Sequence, residues 1–405
     1  MTTAILFDAV RSNGGSYQMS INNLLTIIKN FKKKKIKYII LTHKKDYDLR
    51  RLKIKYQIIQ LSLRDFFFIF LKKILVLENF FNKFNLKSEF EKKLLKKKIS
   101  LLIFLFTSWK SFLLEKIKFT ATVLDTSHID FQKKKFKEIS KVVFLIREYL
   151  NKKVLPKAFK IIVESEDLKK RIINLYKLNP NSIISIPNLP SMLLKNKIKV
   201  NIKKGNEKFN SFKNFYFYPA QFWEHKNHKI ILEAVKKLKS KKKNIYFVFC
   251  GKDKGNLKYI NKKIQEYGIE ENIKIFNYLK DDELFLLYKK CKALIMPSFF
   301  GPTNIPPVEA WLLGVAVGYS SLNRNHGKDA AIYFRPESVN ELIKVILKLE
   351  INNVRKKLIK IGKKRIKEIK FKNNYNHKKF ASEVKKFMTT KIINSYVGRN
   401  TVYEN

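Results

Sequence analysis

The sequence predicts an α/β protein built from two open parallel-sheet units of similar size. Short β-branched and aromatic runs alternate along the chain with longer segments of helical periodicity. That alternation breaks once, from Pro187 to Asn214, where Pro187, Pro190 and a Lys/Asn/Gly-rich tract mark an interdomain linker. At 405 residues the chain is long enough for two domains, each with its own core.

The first half opens with a strand at Ala4 to Ala9, which ends in the loop Arg11-Ser12-Asn13-Gly14-Gly15-Ser16. A helical pattern follows from Tyr17 to Phe31. Further strands are expected at Lys37 to Leu41, Gln57 to Leu61, Ala121 to Asp125, Ile161 to Glu164 and Ile183 to Ile186. Ser165 is a suitable N-cap for the helix that comes after Glu164. Between Leu63 and Phe119, clusters of Phe and Leu sit between Lys runs. Two readings of that segment stand: amphipathic core helices with lysines toward solvent, or a basic, aromatic-rich surface lying on anionic lipid.

A second series begins after the linker. Strands are expected at Phe215 to Tyr218, Ile245 to Cys250, Ile273 to Asn277, Ala293 to Pro297, Val315 to Tyr319 and Ala331 to Phe334, with a helix over Asp281 to Lys290. The tail after Asn374, including Phe380 to Met388, reads as helix and is expected to return to the first domain. The division is therefore 1–186, a linker at 187–214, a second domain at 215–375 and a helical tail at 376–405. Both halves read as Rossmann-like, with no sequence repeat between them.

The charge is extreme: 86 Lys+Arg against 33 Asp+Glu, a formal net of +53. Hydrophobic residues at 45% and aromatics at 13% exclude a disordered polyelectrolyte. AT-rich codon bias and attraction to an anionic membrane both account for the excess of lysine. No nucleic-acid recognition motif is present, so specific nucleic-acid binding is not expected. Cys250 and Cys291 lie in or beside apolar runs without partners at metal-ligand spacing, and read as reduced thiols of a cytosolic protein. The N-terminus, MTTAILFDAV, reads as a first strand rather than a signal peptide. Uncharged apolar runs such as Ile99 to Trp109 fall short of the ~18 residues of a spanning helix.

The stretch from Met296 to Gly314, MPSFFGPTNIPPVEAWLLG, carries the most chemistry. It reads as a buried strand, a loop, and a helix beginning near Pro306 with Glu309 in its first turn. Amides and a helix N-terminus beside a carboxylate suit the phosphates and ribose of a nucleotide. Gly14-Gly15 offers the same opportunity after the first strand. Asp125-Thr126-Ser127-His128 stands at another strand end of that half. In the second half, Lys226 follows the first strand, where its ammonium can reach a diphosphate. His225 and His228 lack a third ligand, so no metal site is expected.

Four segments, in order, resemble glycosyltransferase family 4, the retaining glycosyl transferases of group 1 with the GT-B fold. They are YPAQFWEHKNH, IKIFNYLKDDELFLLYKKCKALIMPS, FGPTNIPPVEAWLLGVAV and KDAAIYFRP, spanning about Phe215 to Pro336. The first half agrees through Gly14-Gly15, His128 and Val163-Glu164-Ser165-Glu166 followed by SIISIPN. The Gln-Phe-Trp and Pro-Thr-Asn-Ile-Pro-Pro variants are similar to transferases of bacterial surface polysaccharide and lipopolysaccharide synthesis. The resemblance implies two Rossmann-like domains facing a central cleft, the first on the acceptor side. It implies that Glu309 holds the donor ribose and Lys226 neutralises the diphosphate. Thr303, Asn304 and Ile305 would contact the sugar or distal phosphate, Gln221 would line the donor site, and Gly14 and Gly15 would approach the phosphates. His128 would lie near the reacting sugar. The implied partners are a nucleotide sugar and a glycan or lipid-linked acceptor, with no cofactor or metal, in the cytoplasm and at the inner face of the plasma membrane.

Two departures stand out. The first glutamate of the family's pair is Gly301 here, and the arginine five residues before the lysine is Gln221. His326-Gly327-Lys328 also replaces a usually acidic or glycine-rich turn. They keep two alternatives open: a non-catalytic GT-B subunit of a glycan-assembly complex, and a sugar-nucleotide epimerase or hydrolase.

Overall fold

The computed structural model describes residues 1–10, 14–73, 86–106, 108–133, 136, 140–191, 214–301 and 303–397. Most of the expected linker, loop positions 11–13, residues 74–85 of the Phe/Leu-rich segment, Pro302 and the end of the tail lie outside the described residues. Contacts divide the chain into two units. The first comprises Met1–Thr126, Lys141–Ile186 and Asn373–Asn405; the second comprises Ser127–Ser140 and Pro187–Lys372.

The first unit holds a seven-stranded sheet. Its strands are β1 (Thr2–Leu6), β2 (Tyr38–Thr42), β3 (Gln57–Ile58), β4 (Ile99–Phe104), β5 (Lys118–Val123), β6 (Lys160–Val163) and β7 (Ile183–Ser185). Their order is β3-β2-β1-β4-β5-β6-β7, and every pairing is parallel. Gly14, at φ 59°, turns the chain from the loop after β1 into the Gly15–Lys34 helix. A side chain in that left-handed region is strained, which is what glycine avoids.

The strand β4 corrects the expectation of helices throughout Leu63 to Phe119. Ile-Ser-Leu-Leu-Ile-Phe is buried at every position beside β1. A strand covered on both faces is apolar throughout, so it shows neither the period of a half-buried strand nor that of an amphipathic helix. Elsewhere in the segment the described helices are Leu63–Lys73, Glu89–Lys96 and a short turn of 3₁₀ helix at Trp109–Leu113, and its last residues open β5.

The second unit has six parallel strands: β8 (Phe215–Pro219), β9 (Tyr246–Cys250), β10 (Ile273–Phe276), β11 (Ala293–Met296), β12 (Ala316–Ser320) and β13 (Ile332–Phe334). Their order is β10-β9-β8-β11-β12-β13. Its core includes fully buried Tyr216, Tyr218, Tyr288, Trp311 and Tyr319.

Ser127–Ser140 was expected in the first half, yet it packs with the second unit. Aromatic rings explain the allegiance. Phe131 lies 5.2 Å from the ring of His225 and 4.9 Å from that of Phe300, and Phe136 lies 5.5 Å from Phe299. Such contacts contribute beyond the area they bury.

The chain changes unit again inside one helix, Asn352–Val397. From Asn373 onward that helix belongs to the first unit, where Phe380, Ala381, Val384 and Met388 join Ile5, Phe7, Tyr17 and Phe31 in one cluster. Phe380 has no exposed surface. Phe380→Ala is therefore expected to lower the stability of the first unit by about 3–5 kcal/mol in urea unfolding. A loss below about 1 kcal/mol would show that the tail is not part of that core.

Candidate donor site

In an open parallel sheet, the crevice beyond the strand C-termini opens where the strand order reverses, and ligands bind there. In the second unit the reversal falls between β8 and β11. Two loops flank it. One runs from β8 through a turn at Glu224–Lys226, and the other from β11 to the helix Ile305–Leu313.

The loops are fastened to each other. The Phe299 amide donates to the His225 carbonyl at 3.0 Å. Asn227 takes φ 60°, and its Nδ2 donates to the carbonyls of Pro297 at 3.2 Å and Pro336 at 2.7 Å. The Tyr218 hydroxyl donates to the Lys226 carbonyl at 2.7 Å, fixing the backbone of the lysine. Lys226 Nζ then lies 3.4 Å from Asn304 Oδ1 and 3.5 Å from Ser298 Oγ, both on the facing loop.

Asn304 holds this position for a reason written in the next residues. It is the N-cap of the Ile305–Leu313 helix, yet its side chain makes no capping bond. A cap oxygen ordinarily accepts from the second or third helical amide. Those positions are Pro306 and Pro307, which carry no N–H. The amide oxygen is left to face Lys226, while Nδ2 donates to Tyr319 Oη at 3.0 Å and to the Gly301 carbonyl at 3.3 Å. Tyr319 Oη lies 3.1 Å from His326 Nδ1. Burial, with Arg365 adding, pulls the His326 pKa down to about 3, so the ring is neutral near pH 7. With the Tyr319 proton directed to Nδ1, Asn304, Tyr319 and His326 form a satisfied chain of hydrogen bonds.

The prolines also change the expected anion cradle. Of the first three helical residues only Ile305 can offer an amide hydrogen, so charge neutralisation rests more on Lys226 than the sequence suggests. Glu309 also lies one residue further into its helix than expected, just past the first turn. It is the fifth residue of the helix, whose first turn has no acidic side chain.

Glu309 is buried, accepting from the Tyr288 hydroxyl at 2.8 Å and more weakly from the Ser191 amide at 3.4 Å. Burial outweighs both hydrogen bonds and raises its pKa to about 7. Tyr288 is raised well above its ordinary value, first by burial and then by Glu309, and remains a donor near neutrality.

Gly301 takes φ +114°, and a Cβ there would meet Asn304 Oδ1 at 2.8 Å. The glutamate expected at this position from the resemblance would need a strained backbone and the space that Asn304 fills. The departure is thus built into the loop.

The other sequence candidates make contacts of their own. Thr303 Oγ1 accepts from Asn188 Nδ2 at 3.1 Å, and Gln221 Oε1 accepts from the Trp223 indole at 3.2 Å. His128 is buried in the Ser127–Lys133 helix, on the segment that packs against His225 and Phe300. Gly14 and Gly15 belong to the first unit. His228 packs between Tyr218, Phe222 and Phe249, and burial lowers its pKa to about 3, as suits a core residue. A cavity of about 450 Å³ in this unit is lined by Glu224, Glu233 and Glu337 along with Phe136 and Phe299. Three carboxylates against the one lysine of its lining, Lys229, disfavour a diphosphate there.

Sequence reasoning missed Ser298, Tyr288, Tyr319, Asn188 and the role of His326. Tyr319 ends an expected strand and His326 was visible only as a departure, so neither carried a motif of its own.

Residues 200–365 match the family model described as glycosyl transferases group 1. Over 96 residues the chain is 32% identical to the serotype-specific mannosyltransferase WbdA of Escherichia coli, a stretch covering 23% of this chain and 12% of that protein. The structure is similar to a glycosyltransferase from Rickettsia africae, with a TM-score of 0.68 at 14% identity over 99% of both chains. It is also similar to HepE of Anabaena in complex with UDP-glucose, with a TM-score of 0.67 at 14% identity, covering 94% of this chain and 100% of that one. At these identities the structural likeness speaks for the fold, two Rossmann-like units as in GT-B glycosyltransferase structures.

Two predictions test the geometry. Gly301→Ala is expected to cost about 1–3 kcal/mol of stability through its positive φ and its contact with Asn304. An unchanged melting temperature would refute the packing described. For Glu309, the raised pKa means that its contribution to stability is fully present below about 4.5 and is lost as pH rises through about 7. Glu309→Gln should flatten that fall, worth up to ~3 kcal/mol, in urea melts across the window. Identical pH profiles for both proteins would show that the carboxyl is not desolvated.

Proposed function

We propose that the chain is a glycosyltransferase that moves a sugar from a nucleotide-sugar donor to a glycan or lipid-linked acceptor in surface-polysaccharide synthesis. The observation that carries the reading is the convergence of Lys226, Asn304 and the Ile305 helix end at the switch point, with Glu309 buried behind them. The match of residues 200–365 to the group 1 family model and the local likeness to a mannosyltransferase support it. A fold shared with a protein that binds UDP-glucose adds to that support.

The chemistry follows from where charge develops. As the anomeric carbon loses its leaving group and becomes cation-like, negative charge grows on the departing β-phosphate. Lys226, the Ile305 amide and the positive helix end would stabilise that charge from fixed positions. Glu309, when ionised, would accept hydrogen bonds from the ribose hydroxyls, and binding would draw its proton off. Retention of the anomeric configuration is part of the proposal, carried by the family resemblance.

The test measures donor affinity by calorimetry and transfer by product analysis, with and without acceptor. Lys226→Ala and Glu309→Ala should each lower transfer by about 100-fold or more. Wild-type-like turnover in both would sink the site. Wild-type protein with no affinity for any nucleotide sugar would favour the non-catalytic subunit, and an altered free donor would favour an epimerase or hydrolase.

A further inference from the structure

In the first unit, the Leu63–Lys73 helix shows an unusual distribution of apolar side chains. Leu63, Phe66, Phe67 and Phe70 fall at helical spacing on one face, and that face is exposed: 87% for Leu63, 62% for Phe67 and 64% for Phe70. The opposite face is buried through Phe68 and Ile69. Fully buried Asp65 pins the helix by accepting from the Phe90 amide and from the Ser62 amide, both at 2.8 Å. The stripe is therefore held outward by the fold.

A second helix repeats the pattern. In Lys141–Val154, Val142, Val143, Leu145 and Ile146 are exposed, with Asn151 and Val154 buried. Both helices pack on the same short turn at Trp109–Leu113. Phe66 lies 5.7 Å from the Trp109 ring, and Tyr149 lies 5.7 Å from the Phe112 ring. Isolated exposed apolar residues are ordinary, but two outward clusters on one support exceed that background.

Charge selects the partner. On these two helices the exposed ionic side chains include Arg64, Lys141, Lys152 and Lys153, while the carboxylate of Asp65 is buried. Glu148 is mostly covered and lies 3.6 Å from Lys152. Phenylalanines beside cations, in a chain of net charge +53, match an interface of acyl chains and anionic headgroups. Codon bias adds lysines anywhere, but it does not aim a phenylalanine stripe away from a core.

We propose that this face of the first unit docks on an anionic membrane surface, with the Leu63–Lys73 helix lying in the interfacial plane. The proposal stands independently of the donor chemistry, since its readout is lipid binding by the full chain without nucleotide. The experiment sediments the protein with phosphatidylglycerol-containing vesicles and with phosphatidylcholine vesicles. Wild-type protein should favour the anionic vesicles, with binding weakened by added salt. The double variant Phe67→Ser, Phe70→Ser should lose about tenfold or more in partitioning while keeping its melting temperature. Val142→Ser with Leu145→Ser provides a second, independent reduction. Unchanged partitioning in both double variants overturns the proposal. So does a wild-type dimer that either pair dissociates without effect on lipid binding, which would assign the face to a second copy of the chain.

Discussion

Because Pro306 and Pro307 bring no amide hydrogen to the start of their helix, the side chain of Asn304 has nothing to cap. It bonds instead to Tyr319 and the Gly301 carbonyl, and presents its oxygen to Lys226. That single displaced cap links the loop after β11, the end of β12 and the lysine of the facing loop. Gly301 must then be glycine, because the backbone turns to positive φ and Asn304 fills the space above it. His326 must be buried and neutral, because its ring completes the chain through Tyr319. Two of the departures, Gly301 and the His326 turn, are thus one coupled arrangement, while Gln221 stays outside it, accepting from the Trp223 indole.

Burial sets the protonation states around this network more than formal charge does. In a chain of net charge +53, a carboxyl would ordinarily be held ionised. Glu309 is instead raised to about 7, since desolvation exceeds the help of Tyr288 and Ser191. A carboxylate poised there responds to whatever hydroxyls or charges enter the crevice, whereas one already paired with a lysine would not. Distant surface lysines matter little to it, being screened by solvent and salt.

The alternation of strands and helices was legible because the β-branched runs outside the Leu63 to Phe119 stretch were bounded by polar turns. The Asp281–Lys290 helix appears where its acidic first turn and basic last turn announced it. The strand β4 was not legible, since a run buried on both faces has no period to detect. The allegiance of Ser127–Ser140 was hidden for another reason: it depends on rings of Phe299, Phe300 and His225 that are distant in sequence. Lys226 and Glu309 stood out in the sequence by type and position, but the network that holds Lys226 in place depends on side chains brought together from two loops and a strand end. Glu309 falls just past the first turn rather than within it because the helix begins at Ile305, one residue before Pro306.

The two sheets share a topology but not the electrostatics of their switch points. In the first unit the reversal falls between β1 and β4, and the crevice there is spanned by an ion pair, Lys110 Nζ to Asp8 Oδ2 at 2.7 Å. His43 stands close enough that Lys110 opposes its protonation and Asp8 favours it, with burial lowering its pKa most. A lysine matched to a carboxylate offers a ligand little net charge. In the second unit, Lys226 faces the neutral oxygens of Ser298 and Asn304. Amide and hydroxyl oxygens orient an ammonium without removing its charge. The same crevice, formed twice, therefore carries different polar groups: an ion pair at the first, and a lysine set against neutral oxygens at the second.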